Sequence, residues 1–393
     1  AAVVSKSDAD YLIHSTTRDL TTARDDVAKH LGIQENHVNV NVKRLGGCFC
    51  SKLNRTSIIS NATALASQKV NFQVKMRLPR DVDTHIMSGD HSVLAKYKVA
   101  FDSSNGKIEA LKIDYYVDSG YSYKNSIGME QKILLHSDSV YNFPNFEFNG
   151  HLCQTNKISN AHFRGFGAQN SGIATEAVFE RIRHYLEDSK HDDIKRSNFY
   201  QKNDKTPYGV VLDDINIDEC WSLIKAKSRY EELKRCVRAF NAISKYKKRG
   251  IAITPVKFGV GHGFAPGRRG SSVVHLLKDG TVLIVHSGVE QGQGLHTKMC
   301  CVASKVLDIP VDLIHSECAD TMVNTEGMST GAGYTNDVIG FAVIDACEKL
   351  KKRIEKFYYT TDKNGQKIRR PFSDVVKMAY MTKQDLTAHG FYI

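Results

Sequence analysis

The chain of 393 residues contains no apolar run near the length of a membrane helix, which needs about 20 residues. Its opening, Ala1-Ala2-Val3-Val4-Ser5-Lys6, lacks the long apolar core of a secretory signal. These two absences point away from a membrane and toward the cytoplasm. Nine cysteines run irregularly from Cys48 to Cys347, without the spacing of a disulfide framework. Neither Cys48-Phe49-Cys50 nor Cys300-Cys301 has the further partners of a four-ligand zinc site. Reduced thiols and no structural metal are therefore expected. Repeats and low-complexity tracts are absent, and the first residue is Ala1 rather than Met, with a strand-like opening that reads as continuing from upstream sequence.

What is present is ordinary for a globular chain: 41% hydrophobic and 25% charged residues. At about 150 residues per domain the length predicts two domains. A polar helical stretch ends in Lys245-Tyr246-Lys247-Lys248-Arg249, so the boundary is placed at 248, giving 1–247 and 248–393. The net charge of +11 invites a nucleic-acid reading. Its densest runs, at 245–249 and at Lys349-Leu350-Lys351-Lys352-Arg353, fall on that junction and on a helix with an apolar stripe. Solvated faces, and no nucleic-acid partner, are the expectation.

Periodicity predicts a helix over 20–31, a strand over 37–44 and a small-residue helix over 57–69. Strands at 92–101 and 108–117 flank Asn105-Gly106, a strong hairpin signal. A helix is expected over 174–186, polar helices over 187–249 and a strand from Ile251. A second hairpin turns at Lys278-Asp279-Gly280, followed by helices over 295–307 and along Ile339 to Ile354. Both domains are α+β, with mixed sheets and helices.

Three glycine-bearing turns precede helices: Gly46-Gly47-Cys48-Phe49, Arg164-Gly165-Phe166-Gly167 and Gly292-Gln293-Gly294. A helix start exposes unpaired N–H groups and the positive end of the dipole, which suits an anionic, hydrogen-bonding ligand. The wider segments Val42–Phe49, Asn160–Gly167, Glu290–Lys298 and Ser329–Asp337 match one family in order and approximate spacing. From about residue 12 onward the chain resembles the molybdopterin-binding part of the xanthine dehydrogenase and aldehyde oxidase family, the molybdenum hydroxylases. The resemblance implies two molybdopterin-binding-type domains, the second truncated.

It also implies a site. Gly47, Phe49, Arg164, Gly292, Gln293, Gly294, Ala332 and Gly333 would contact the molybdenum–molybdopterin cofactor, with Phe49, Arg164 and Ala332 at the metal through their backbone. Gln293 would bond the pterin, and Phe166 would stack on the substrate ring. The family's chemistry uses a metal hydroxide as nucleophile with hydride passing to a metal sulfide, and electrons leave through 2Fe-2S clusters to FAD. Those carriers, and the carboxylate base in a Gly-x-Gly-Glu segment, are expected outside this chain, the base beyond residue 393. The family usually has glycine where this chain has Cys48 and Cys50, and a pterin-contacting glutamine where it has Thr17 or Arg18.

The substrate pocket implied by the resemblance holds Leu53, Lys132, Phe166, His262 and Gly263. Xanthine-oxidising members carry a glutamate at Leu53, an arginine near Lys132 and a Phe-Thr pair near His262-Gly263. Leu53 and Gly263 offer no polar side chain, so the pocket is closer to that of aldehyde oxidases, for a small aldehyde or heterocycle. A homodimer fits the family. The competing reading is a catalytically incompetent relic or binding module that keeps the fold. Asp337, Glu290 and His296 are read as caps or structural partners rather than as the base or a ligand.

Overall fold

The computed structural model describes residues 2–7, 10–87, 89–123, 126–186, 191–261, 269–325 and 327–393. Residues 1–88 and 260–393 form one compact unit and residues 89–259 a second. In chain order the first unit begins β1 (Ala2–Ser7), β2 (Asp10–Ser15), α1 (Leu20–Leu31), β3 (Val38–Val42), α2 (Thr56–Val70), β4 (Val74–Met76) and α3 (Arg80–Met87). The second unit holds β5 (Val93–Phe101), β6 (Ile108–Gly120), α4 (Ile127–His136), β7 (Asn145–Gln154), α5 (Ala168–Tyr185), α6 (His191–Ser197), α7 (Ile217–Lys227) and α8 (Tyr230–Ile243). The first unit resumes with β8 (Gly270–Leu276), β9 (Val282–His286), α9 (Leu295–Leu307), β10 (Ile314–Ser316), β11 (Ala319–Asp320) and α10 (Thr335–Ile354). It closes with β12 (Tyr359–Thr361), β13 (Lys367–Arg369), α11 (Phe372–Met381) and β14 (Thr387–Tyr392).

Helix α1 forms where its spacing predicts, because both ends are closed locally. Asp19 accepts a hydrogen bond from the Thr22 N–H at 3.1 Å, and Gly32 ends the helix in the left-handed region. Its buried face is Leu20, Ala23, Val27 and Ala28, which pack on the first sheet. Helix α2 buries Ser57, Ser60, Thr63, Ala64 and Ser67. The hydroxyls on this close-packed face bond locally: Thr63 donates to the Ile59 carbonyl at 2.6 Å, and Ser60 meets Ser15 at 2.9 Å.

The sheet order β11-β3-β2-β1-β4 joins both halves of the chain, since β11 pairs antiparallel with β3 through Ala319 and Val42. Strands β2 and β3 are parallel, with α1 as the crossover. A second sheet, β10-β9-β8-β14, carries α9 and α10. Its core joins Val274, Val282 and Ile284 to Leu295, Met299, Ile339, Val343 and Leu350. In the second unit β5 and β6 form the expected hairpin and β7 adds parallel to β6. The mixture of parallel and antiparallel pairing with helices makes both units α+β, as the sequence implied.

The expected strand from Ile251 does not form, and residues 251–260 have no regular structure. Pro255 removes a ladder donor, and side chains take the segment's backbone groups in place of a partner strand. Lys195 Nζ donates to the Ile253 carbonyl at 3.2 Å. The Lys257 ammonium pairs with the buried Asp138 carboxylate. The Gly259 N–H donates to His136 Nε2 at 2.9 Å, and its carbonyl accepts from Lys132 Nζ at 2.8 Å.

Two glycines separate crowding from helix propensity. A Cβ at Gly390 on β14 would run into the backbone of α10 at Ala342 and Ala346, whereas at Gly340 in α10 the nearest contact is Met299 Cε at 3.9 Å. Gly390→Ala is expected to destabilise by about 1–3 kcal/mol. Gly340→Ala is expected to stabilise by up to about 1 kcal/mol. Urea denaturation of both variants checks the pair, and equal effects would contradict this packing.

Candidate cofactor site

Three loops of the first unit, the first, third and fourth of the sequence motifs, meet through hydrogen bonds. In the third, Glu290 Oε1 accepts from the N–H groups of Gly292 at 2.7 Å and Gly294 at 3.0 Å, and Oε2 from that of His296 at 3.1 Å. Burial alone would raise this carboxyl, but the three N–H donors outweigh it and hold it below the usual carboxylate range. Glu290 thus holds the start of α9 through the Gly294 and His296 N–H groups. The helix start that looked open to a ligand is filled by the chain's own carboxylate.

The first glycine loop is tied to the third by the Leu45 N–H, which donates to the Glu290 carbonyl at 2.8 Å. A histidine relay makes a second tie. The Gly288 N–H donates to His286 Nδ1 at 3.2 Å, so His286 carries its proton on Nε2. That proton points at His296 Nδ1, 2.9 Å away, and His296 Nε2 donates to the Lys43 carbonyl at 3.1 Å. The fourth loop joins through Thr330, whose Oγ1 accepts from the Val289 N–H at 2.8 Å. The Thr330 carbonyl accepts from Gln291 Nε2 at 3.0 Å and from Arg18 Nη1 at 2.7 Å.

The residues expected at the cofactor fall as follows. In the first unit, Phe49 is 58% exposed with φ +50°, and Cys50 follows it with φ +67°. Ala332 has φ +55° and Gly333 φ +78°, and the Ala332 carbonyl accepts from the Gly261 N–H at 2.9 Å. Gly47 also has positive φ, with the Phe49 ring close by. Gln293 turns onto its own loop: its side-chain oxygen accepts from the Gln291 N–H at 2.6 Å, and Nε2 donates to the Val289 carbonyl at 3.1 Å. Leu53 is half-buried, and its carbonyl accepts from the Thr56 hydroxyl at 2.6 Å.

In the second unit Arg164 is exposed, while Gly167, with φ +91°, starts α5. Phe166 has φ +45° and stacks on His162, with ring centroids 4.5 Å apart and planes 16° from parallel. Lys132 is held by the Gly259 carbonyl and lies 4.8 Å from the Phe258 ring centroid, and burial lowers its pKa. His262 and Gly263 lie outside the described residues.

Non-glycine residues at positive φ cost on the order of 1–3 kcal/mol each and persist only where the surroundings enforce them. Phe49, Cys50, Ala332 and Phe166 all fall in the loops marked out by the sequence. Two residues at the centre of the hydrogen bonding, Arg18 and His286, had no functional role assigned from the sequence. The family resemblance marks only that a glutamine is expected at Thr17 or Arg18.

The chain matches the model "Molybdopterin cofactor-binding domain" twice, over residues 1–199 and 223–393. The chain belongs to the molybdopterin cofactor-binding family. It is 35% identical over 377 residues to xanthine dehydrogenase/oxidase of Felis catus, covering 96% of this chain and 28% of that protein. It is 36% identical over 354 residues to aldehyde oxidase 1 of Cavia porcellus, covering 90% and 26%. The chain thus spans about a quarter of the length of the curated relatives it matches. Among solved structures, reconstituted CO dehydrogenase from Oligotropha carboxidovorans superposes with a TM-score of 0.83 at 19% identity, over all of this chain and 53% of that one. Aldehyde oxidoreductase from Desulfovibrio gigas gives 0.79 at 18% identity, over all of this chain and 41% of that one. These structures share the fold.

The residues present fit a pterin cofactor. The enforced left-handed backbone at Phe49, Cys50 and Ala332 and the buried, incompletely bonded Arg18 guanidinium are features that a bound polar group would complete. As family domains, the two segments have molybdopterin as their cofactor class.

Burial, then the neighbouring His296, push His286 down to about 3 from an ordinary 6.5. His286 is therefore neutral when folded, while the unfolded chain takes up a proton below 6.5. Its contribution to stability is complete above pH 6.5 and is lost as pH falls toward 3. Urea midpoints at pH 7.5 and 4.5 should separate widely for the native chain and less for His286→Gln, which has no proton to gain. Equal separation in both would contradict the relay.

Proposed function

We propose that this chain is the molybdopterin-binding part of a larger molybdenum hydroxylase that oxidises aldehydes or N-heterocycles. The observation carrying the reading is the hydrogen-bonded union of the first, third and fourth loops around Glu290 and Thr330. When bound, the molybdenum cofactor supplies the oxidising centre and the activated oxygen.

The chain's own groups hold and orient. Gln293, bonded to its own loop, would exchange those contacts for hydrogen bonds to the pterin. By the family resemblance, the backbone at Phe49 and Ala332 would serve the metal end, a role the same resemblance gives to Arg164, and Phe166 would stack on the substrate ring. Removal of the substrate proton is assigned to a carboxylate elsewhere in the longer polypeptide, and electron transfer to iron–sulfur clusters and FAD there. The sequence boundary near 248, cytoplasmic location and a homodimer belong to the same reading.

Leu53 tilts the substrate toward aldehydes, because a site without a polar group there cannot reward a purine's hydrogen bonds. Lys132 would offer a positive charge to a polar substrate. A second reading, a non-catalytic binding module, is favoured by Cys48 and Cys50, which put side chains into a loop where relatives have glycine.

The test is kinetic, on the longer polypeptide that carries this chain. Aldehyde-dependent dye reduction should exceed hypoxanthine-dependent reduction by on the order of 100-fold in kcat/KM, and Leu53→Glu should narrow the gap at least tenfold. A preference for hypoxanthine in the native protein would overturn the substrate assignment. Dye reduction with neither substrate would favour the binding module.

A further inference from the structure

Arg18 is 3% exposed, yet its guanidinium is incompletely hydrogen-bonded. Nη1 donates to the Thr330 carbonyl, Nε is buried without a hydrogen-bond partner, and no carboxylate among the described residues forms an ion pair with it. The neighbouring Asp19 carboxylate attracts Arg18 through space without forming an ion pair with it, and its oxygen is engaged by the Thr22 N–H that caps α1. Gln291 Nε2 competes for the same Thr330 carbonyl. Around Arg18 the backbone is fixed on both sides: its N–H donates to the Lys52 carbonyl and its carbonyl accepts from the Thr330 N–H, each at 2.9 Å. Gly331 lies so close that a Cβ there would strike Nη1.

A buried guanidinium that is incompletely hydrogen-bonded is costly to keep out of water. Such an arrangement is stable when an outside anion completes it. A guanidinium is suited to this, since its planar fork meets two oxygens of a phosphate or sulfate at once. The other obvious anion site, the start of α9, is closed by Glu290. Oxyanion affinity in the first unit therefore concentrates on Arg18.

We propose that Arg18 anchors an oxyanion site beside the fourth loop, taking a phosphate group carried either by the pterin cofactor or by free phosphate. The site itself stands on Arg18 and Thr330. Only the choice of the pterin as occupant rests on the proposed function.

The experiment is calorimetric titration of inorganic phosphate into the full 393-residue chain without cofactor, against a chloride background of constant ionic strength. One phosphate per chain is expected, with an accompanying rise in Tm over chloride. Arg18→Gln should weaken binding at least tenfold. Arg18→Lys, which keeps the charge but loses the fork, should fall between. Arg80→Gln, on an arginine whose side chain is 90% exposed, should leave binding unchanged. The native chain's own titration and Tm keep the proposal falsifiable if Arg18→Gln fails to fold. No binding and no Tm rise in the native chain overturn it, as does undiminished binding in a folded Arg18→Gln. Repeating the titration on cofactor-loaded chain separates the sources: lost heat assigns the site to the pterin phosphate, retained heat to free phosphate, and both support the site. A chain that binds phosphate but never pterin keeps the site and refutes the cofactor reading.

Discussion

The Glu290 carboxylate is where the first unit's loops converge. Three N–H groups of one glycine-rich turn point inward at its two oxygens, which fixes the turn, starts α9 and places the Glu290 carbonyl to receive Leu45 of the first loop. A charge-assisted bond of this kind is stronger than a neutral one, and three on one group make the turn rigid. Everything near the proposed pterin then depends on that rigidity. Val289 reaches Thr330, Thr330 reaches Arg18, and the histidine relay returns to Lys43.

Rigidity of this sort is what lets unfavourable backbone survive. Phe49, Cys50 and Ala332 sit in the left-handed region without being glycine, each one or two residues from a loop's hydrogen-bonded ties. Here the strain is retained, and it lies where close backbone approach to a ligand is most useful. Closing the α9 start with an internal carboxylate also has an electrostatic consequence, since an external anion would meet negative charge there and a cation at Arg18.

Local pattern made much of the fold legible. The apolar spacing of α1 was framed by Asp19 and Gly32, Asn105-Gly106 announced the β5–β6 hairpin, and Met299 to Val306 marked α9. What local pattern cannot carry is partnership across the chain. Nothing near Ala319 says that it pairs with Val42, and nothing in β7 says that it adds parallel to β6. No strand forms from Ile251 because Pro255 lacks a ladder donor and the side chains of Lys195, His136 and Lys132 take backbone groups of the segment. At the site, the glycine motifs were readable, and so was Glu290 as a cap or structural partner. The meaning of Arg18 was not, because its partner Thr330 lies 312 residues away.

The central claim is that these loops cradle a molybdenum–pterin group. It is tested most directly by producing the chain in a host that makes the cofactor and measuring molybdenum and pterin per folded polypeptide. The account predicts about one of each. A folded, pure chain that carries neither, even when supplied with excess cofactor, would contradict it.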